Sequence, residues 1–146
     1  MSELVEILGD SVLNNQGQQV NVKDLSSEDV VLGLYYSGHW CPPCRMFTPT
    51  LIKFYDKIKS KGKKFEIVFI SSDRDEESYE EYMKTMPWLS LPFGPKSEQL
   101  SEKYGVSGIP TLLLLDSKTG KVITELGRAK ITTDPEGTNF PWRNDS

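Results

Sequence analysis

The segment that most narrows what this chain can fold into is Val30-Val31-Leu32-Gly33-Leu34-Tyr35-Tyr36, an uncharged and almost wholly apolar run bounded by turn formers. A half-exposed strand alternates apolar and polar residues, whereas an unbroken apolar run is covered on both faces, so this strand is expected at the centre of a sheet. The segments after it narrow the choice further. Phe47, Leu51, Phe54, Tyr55 and Ile58 recur at helical spacing before a stop at Gly62. Pro49 falls inside that helix and is expected to kink it, because proline removes a ladder donor and crowds the preceding turn. Phe65-Glu66-Ile67-Val68-Phe69-Ile70-Ser71 then reads as a second buried strand. Strand, helix, strand in that order implies a right-handed parallel crossover and an α/β protein.

The remaining segments build around this unit. Ser11-Val12-Leu13 and Gln19-Val20-Asn21-Val22 flank Asn14-Asn15-Gln16-Gly17, which has the residues of a tight reversal, and predict an N-terminal β-hairpin extension. Residues 76–86 read as a helix with Tyr79, Tyr82, Met83 and Met86 inward, residues 86–92 as an ordered connection, and residues 97–104 as a short helix ended by Gly105. Residues 111–115 and 121–126 pair across 116–120 as a closing antiparallel hairpin. The expectation is one domain over residues 1–146, a central mixed β-sheet with helices on both faces. A chain of 146 residues buries a core without covalent staples.

Charge and composition exclude some functions. A net charge of −4 lacks the basic stripe that a phosphate-neutralising nucleic-acid binder needs. The lysine-rich stretch at 57–64 reads as the solvated end of a helix, where cations offset the dipole. The first residues carry acids where a signal peptide carries positive charge, and nothing approaches the roughly 18 apolar residues of a membrane span. A cytoplasmic location, with the nucleus as a second site, and a monomeric state are expected. In such a compartment two cysteines three apart are more often catalytic or metal-binding than structural.

The pair is Cys41 and Cys44, in Trp40-Cys41-Pro42-Pro43-Cys44. Cys41 comes after the central strand and opens the long helix, at the carboxyl edge of the sheet where open α/β folds place their sites. A helix start offers unpaired N–H groups and partial positive charge, which stabilise a thiolate. Pro42 occupies a first helical position that needs no N–H. Pro43 deletes a donor, leaving the Cys44 N–H as the nearest one to the Cys41 sulfur, so the stabilisation is expected to be moderate. Cys44 lies one turn further on the same face, within reach for a disulfide. Cys41 is expected to be the accessible nucleophile and Cys44 the shielded resolver.

The same residues admit other readings. Zinc requires four ligands, and the lone His39 with two cysteines supplies three. A structural disulfide closing so short a loop contributes little. His39 beside a thiol suggests a protease, but such sites need far more chain; it is read instead as a modulator of the thiolate. The acidic run Asp73-Arg74-Asp75-Glu76-Glu77 either caps a helix or places Asp73 near Cys41 as a proton relay or substrate contact. Trp40 and Trp88 are either binding surface or core. Ile109-Pro110-Thr111 stands where a cis X-Pro bond would set a turn against the sulfurs and expose backbone for an extended substrate.

With these residues in view, Leu34-Tyr35-Tyr36-Ser37-Gly38-His39-Trp40-Cys41-Pro42-Pro43-Cys44-Arg45 resembles the active-site segment of the nucleoredoxins and tryparedoxins, a branch of the thioredoxin superfamily. The likeness continues through Phe65 to Asp73 and through Met86-Pro87-Trp88-Leu89, Gly108-Ile109-Pro110-Thr111, Asp134-Pro135-Glu136-Gly137 and Phe140-Pro141-Trp142. The resemblance implies a thioredoxin-like fold, Cys41 as nucleophile, Cys44 as resolver, Trp40 over the site, a cis bond before Pro110 and Pro49 as the helix kink; Trp40, Pro42, Pro43, Ile109 and Pro110 are the expected substrate-binding residues. It implies that Tyr35 replaces the buried acid of ordinary thioredoxins, so proton transfer comes from elsewhere. Ser72-Asp73-Arg74 has the nucleoredoxin pattern, while Arg128 matches a tryparedoxin position near the thiol reductant.

Two functions are expected on these grounds. One is a protein-disulfide reductase that takes electrons from an upstream thiol reductant or reductase, with oxidised proteins as substrates and no cofactor beyond the Cys41-Cys44 disulfide. The other is a redox-sensing module that regulates a signalling partner with little turnover.

Overall fold

The computed structural model describes residues 3–27 and 29–143. In chain order these form α1 (Glu3–Leu8), β1 (Ser11–Leu13), β2 (Gln19–Asn21), α2 (Val22–Ser27), β3 (Val31–Ser37), α3 (Pro42–Ser60), β4 (Phe65–Ser71), α4 (Glu76–Met83), β5 (Leu89–Ser90), α5 (Lys96–Lys103), β6 (Thr111–Asp116), β7 (Val122–Thr124) and α6 (Gly127–Thr133). The strands make one seven-stranded sheet in the order β2-β1-β5-β4-β3-β6-β7.

The uncharged run is β3, at the centre as expected. It pairs parallel with β4 along Val31↔Phe65 to Ser37↔Ser71, and antiparallel with β6 along Val31↔Asp116 to Tyr36↔Thr111. Every residue of β3 is buried. Its alternation sorts the core: Val31 and Tyr35 enter one hydrophobic cluster, Leu32, Leu34 and Tyr36 the other. α3, α4 and α6 cover the first face, while α1, α2 and α5 cover the second.

The N-terminal hairpin forms as expected, and the pairing of β1 with β5 makes it an extension of the main sheet. The structure differs from the sequence reading at several elements. The stretch 86–92, expected only as a connection, contributes the two-residue strand β5. Val22 begins a helix where the pattern predicts strand, and residues 127–133 form a helix that periodicity does not reveal. The helix from 76 ends at Met83, three residues early, in turns through Thr85 and Met86. α3 runs through Pro49 and ends before Gly62, whose φ of +79° suits glycine. Among the described residues, no helix is long and apolar enough to cross a membrane.

The lysine-rich end of α3 is solvated, yet tied down. Lys57 pairs with Glu136 at 2.7 Å, and Lys61 donates to the Glu136 carbonyl. The same C-terminal segment lays Phe140 and Trp142 against Phe54, 5.8 and 5.7 Å between ring centroids.

Candidate active site

The site begins where β3 runs out. After Ser37 the chain turns through Gly38 and His39, and the Cys41 N–H donates back to the Gly38 carbonyl at 3.1 Å. A buried carboxylate holds this turn: Asp73 Oδ1 accepts the His39 backbone N–H at 2.7 Å, and Asp73 Oδ2 accepts the Ser71 hydroxyl at 2.8 Å. A carboxylate that deep is tolerated because each oxygen has a donor. The capping role falls to Asp75, which accepts the Ser78 N–H at 2.8 Å. Asp73 therefore ties β4 to the cysteine turn, and the acidic run splits into a tie and a cap.

Cys41 is the N-cap of α3, with extended backbone (φ −97°, ψ 111°) and prolines at the first two helical positions. Its sulfur accepts the Cys44 N–H at 3.3 Å. This is the donor left once Pro42 and Pro43 have removed the other candidates. On its far side, the sulfur lies 4.0 Å from the Ile109 carbonyl oxygen. The Ile109-Pro110 bond is cis, and the loop before β6 faces the helix start. Both thiols are free.

The two cysteines differ less in exposure than expected. Cys41 retains 5 % of its surface and Cys44 none, and Cys41 lines an open cleft with Trp40, Ser72, Val106, Gly108 and Ile109. Burial pushes the Cys44 thiol up to about 11, with the Cys41 sulfur adding to the rise, while the Gly38 backbone and the Ser37 hydroxyl pull the other way. Cys44 is held as a neutral thiol.

Trp40 is half exposed, and its indole N–H donates to the Ser72 carbonyl at 2.9 Å. The Arg74 guanidinium lies over the ring at 5.1 Å. A Cβ on Gly38 would sit 2.7 Å from the indole nitrogen, so glycine is needed for this approach. Trp88 is core, buried beside Tyr35 and Tyr55. Pro42 and Pro43 are exposed at the helix start, whereas Pro110 is buried and Ile109 half-buried.

Tyr35 is wholly buried, and burial raises its phenol far above its ordinary value. His39 stacks on Tyr82 with centroids 5.3 Å apart. Arg128 lies over Phe47 at 5.8 Å and lines a groove with Pro110 and Thr111 that adjoins the cleft at Cys41, the two sharing the wall Val106 to Ile109.

Sequence reading misses the polar cluster beneath Cys44. Tyr35 Oη and Tyr82 Oη each lie 2.7 Å from Thr48 Oγ1, Ser37 Oγ lies 2.8 Å from Tyr82 Oη, and Thr48 donates to the Cys44 carbonyl at 2.9 Å. All four side chains are buried. The one signal in the chain is the position of Thr48, one turn after Cys44 on an otherwise apolar helix face. Among the described residues, no three His, Cys, Asp or Glu side chains are grouped as a metal site.

This geometry agrees with known proteins. A thioredoxin-like family model matches residues 29–122. Human nucleoredoxin is 43 % identical over 139 residues, covering 94 % of this chain and 31 % of nucleoredoxin. Tryparedoxin of Trypanosoma brucei brucei is 42 % identical over 147 residues, covering 99 % of this chain and all of its own. The crystal structure of tryparedoxin I from Crithidia fasciculata superposes with a TM-score of 0.87 at 41 % identity, over 95 % of this chain and 96 % of that one. A sheet of this order with a dithiol at the start of its long helix defines the class, and the chain belongs to the thioredoxin-like family. Within that family it groups with the tryparedoxins and nucleoredoxins, which are thiol oxidoreductases. The chain spans about a third of the length of the nucleoredoxins it matches.

Proposed function

We propose that this chain reduces protein disulfides through Cys41 and Cys44. One observation carries the reading: Cys41 Sγ caps α3 with the Cys44 N–H at 3.3 Å, while the neighbouring thiol is buried and held neutral. The helix start favours negative charge on Cys41, which attacks a substrate disulfide. The new bond joins Cys41 to one substrate sulfur, and the other leaves as a thiolate. Cys44 then attacks the Cys41 sulfur. The substrate sulfur bound to Cys41 departs with the proton that Cys44 gives up, and two electrons have moved to the substrate.

The open cleft, with the Ile109 carbonyl beside the Cys41 sulfur, suits an extended segment that presents its disulfide to Cys41 and its backbone to Ile109. An upstream thiol returns the pair to the dithiol. A peptide thiol is a suitable class, since a related tryparedoxin II was crystallised in complex with glutathionylspermidine.

Reduction of insulin disulfides tests the proposal. Wild type is expected to turn over, Cys41→Ser to be inactive, and Cys44→Ser to accumulate a mixed disulfide on Cys41. The near burial of Cys41 favours one competing reading, a redox-sensing module. Negligible turnover together with redox-dependent binding of a partner would overturn the reductase in its favour.

A further inference from the structure

Four buried hydroxyls lie beneath Cys44, and their protons can be counted. A carbonyl only accepts, so the contact between Thr48 Oγ1 and the Cys44 carbonyl commits the single Thr48 proton. Thr48 can then only accept from Tyr35 and Tyr82, and both phenols must donate to it. With its proton committed, the Tyr82 oxygen accepts from Ser37. The chain of hydroxyls therefore has one direction: Ser37 to Tyr82 to Thr48 to the backbone of α3. Ser37 is the open end of this chain, and its hydroxyl acts on the Cys44 sulfur in the direction that favours the ionised form.

We infer that Ser37 is a polarity switch for Cys44, accepting the S–H bond while the thiol is intact and turning its own hydroxyl from Tyr82 to the sulfur when Cys44 ionises. The inference rests on the reading of Cys44 as the resolving thiol. In that step the S–S bond between Cys41 and Cys44 forms and the bond from Cys41 to the substrate breaks. The proton from Cys44 leaves with the substrate sulfur; Ser37 carries no proton away and acts as a positioning residue. The titratable groups facing Cys44 are Cys41 from the start of α3, Tyr35 from β3 and Tyr82 from α4, with His39 stacked behind Tyr82.

The count assigns opposite signs to two neighbouring substitutions. Ser37→Ala removes the donor that the thiolate would gain. Tyr82→Phe removes the competing acceptor and releases the Ser37 proton to the sulfur. The experiment is an NMR titration of Cys44, with labelled cysteine Cβ, in the full chain carrying Cys41→Ser. Ser37→Ala is expected to raise the Cys44 pKa by about one pH unit and Tyr82→Phe to lower it by about one, the tenfold effect of a hydrogen bond to a charged atom. Tyr35→Phe is expected to leave it in place, and Tyr35→Phe with Tyr82→Phe to lower it as Tyr82→Phe does. Loosened packing would move Ser37→Ala and Tyr82→Phe in the same direction, and that result, or no movement in either, overturns the switch. If Ser37→Ala does not fold, the two Tyr82→Phe variants decide. No substrate enters this measurement, so insulin turnover can fail while the switch stands, and the reverse.

Discussion

The two faces of the sheet are built from different chemistry. Under α3 and α4 the core is largely aromatic, with Phe54, Phe65, Phe69, Tyr79, Trp88, Phe140 and Trp142 among its members. Under α1, α2 and α5 it is aliphatic, and Tyr36 is its one fully buried ring among the described residues. Aromatic rings fill large volumes with few rotatable bonds, and tyrosines bring hydroxyls into the interior, each of which needs a partner. The cysteines sit over the aromatic face. Polar groups that can respond to a sulfur are therefore concentrated on one side, while the other side supports the apolar cleft wall of Val106 and Ile109.

Several measurements can break or sharpen this contrast. Phe54→Ala empties the junction of α3 with the C-terminal rings and is expected to cost about 3–5 kcal/mol, against about 2–5 for Leu34→Ala on the aliphatic face, both by urea denaturation. Leu34→Ala should leave the reactivity of Cys44 per folded molecule as it was. An altered Cys44 would show that the faces are not separate in function.

Thr48→Val leaves two buried phenols without their shared acceptor and is expected to cost about 1–3 kcal/mol. A neutral result would mean that the hydroxyls find other partners.

The third measurement is alkaline stability of the reduced protein. Burial favours the neutral Cys44 thiol in the folded state, so the unfolded chain loses this proton near 9.0 and the folded chain near 11. The contribution is complete below pH 9 and is lost as pH rises toward 11, because the unfolded state then binds fewer protons. Buried Tyr79 and Tyr82 add to the decline above pH 10. Cys44→Ala should flatten the earlier part of the slope, and an unchanged slope would remove Cys44 from the account. The smallest effect belongs to Arg74→Ala, under about 1 kcal/mol, since the stacked guanidinium is exposed. A larger loss would place the Trp40 loop in the core.

Much of this is legible in the chain itself. β3, α3 and β4 carry long, unambiguous patterns, and Cys-Pro-Pro-Cys at a helix start dictates which N–H reaches which sulfur. α1 and α2 escape because six residues give too few repeats of a helical period, and β5 because two residues give no alternation at all. α6 opens on Gly127, which reads as a terminator; its position against Leu112 is a tertiary fact. The hydroxyl cluster is invisible for another reason. Ser37, Thr48 and Tyr82 are ordinary residues on three elements, and only the fold brings the Tyr82 oxygen within 3 Å of the other two. Asp73 and Asp75 show the limit at short range, because two acids in one run look alike until burial distinguishes them.

The placement of Trp40 has an optical consequence. Its half-exposed indole is the immediate neighbour of Cys41, whereas Trp88 and Trp142 are sealed in the core. Sulfur close to an indole quenches its emission to a degree that depends on oxidation state. Trp40 emission is therefore expected to change with the state of the dithiol and with occupancy of the cleft, against two buried indoles remote from solvent.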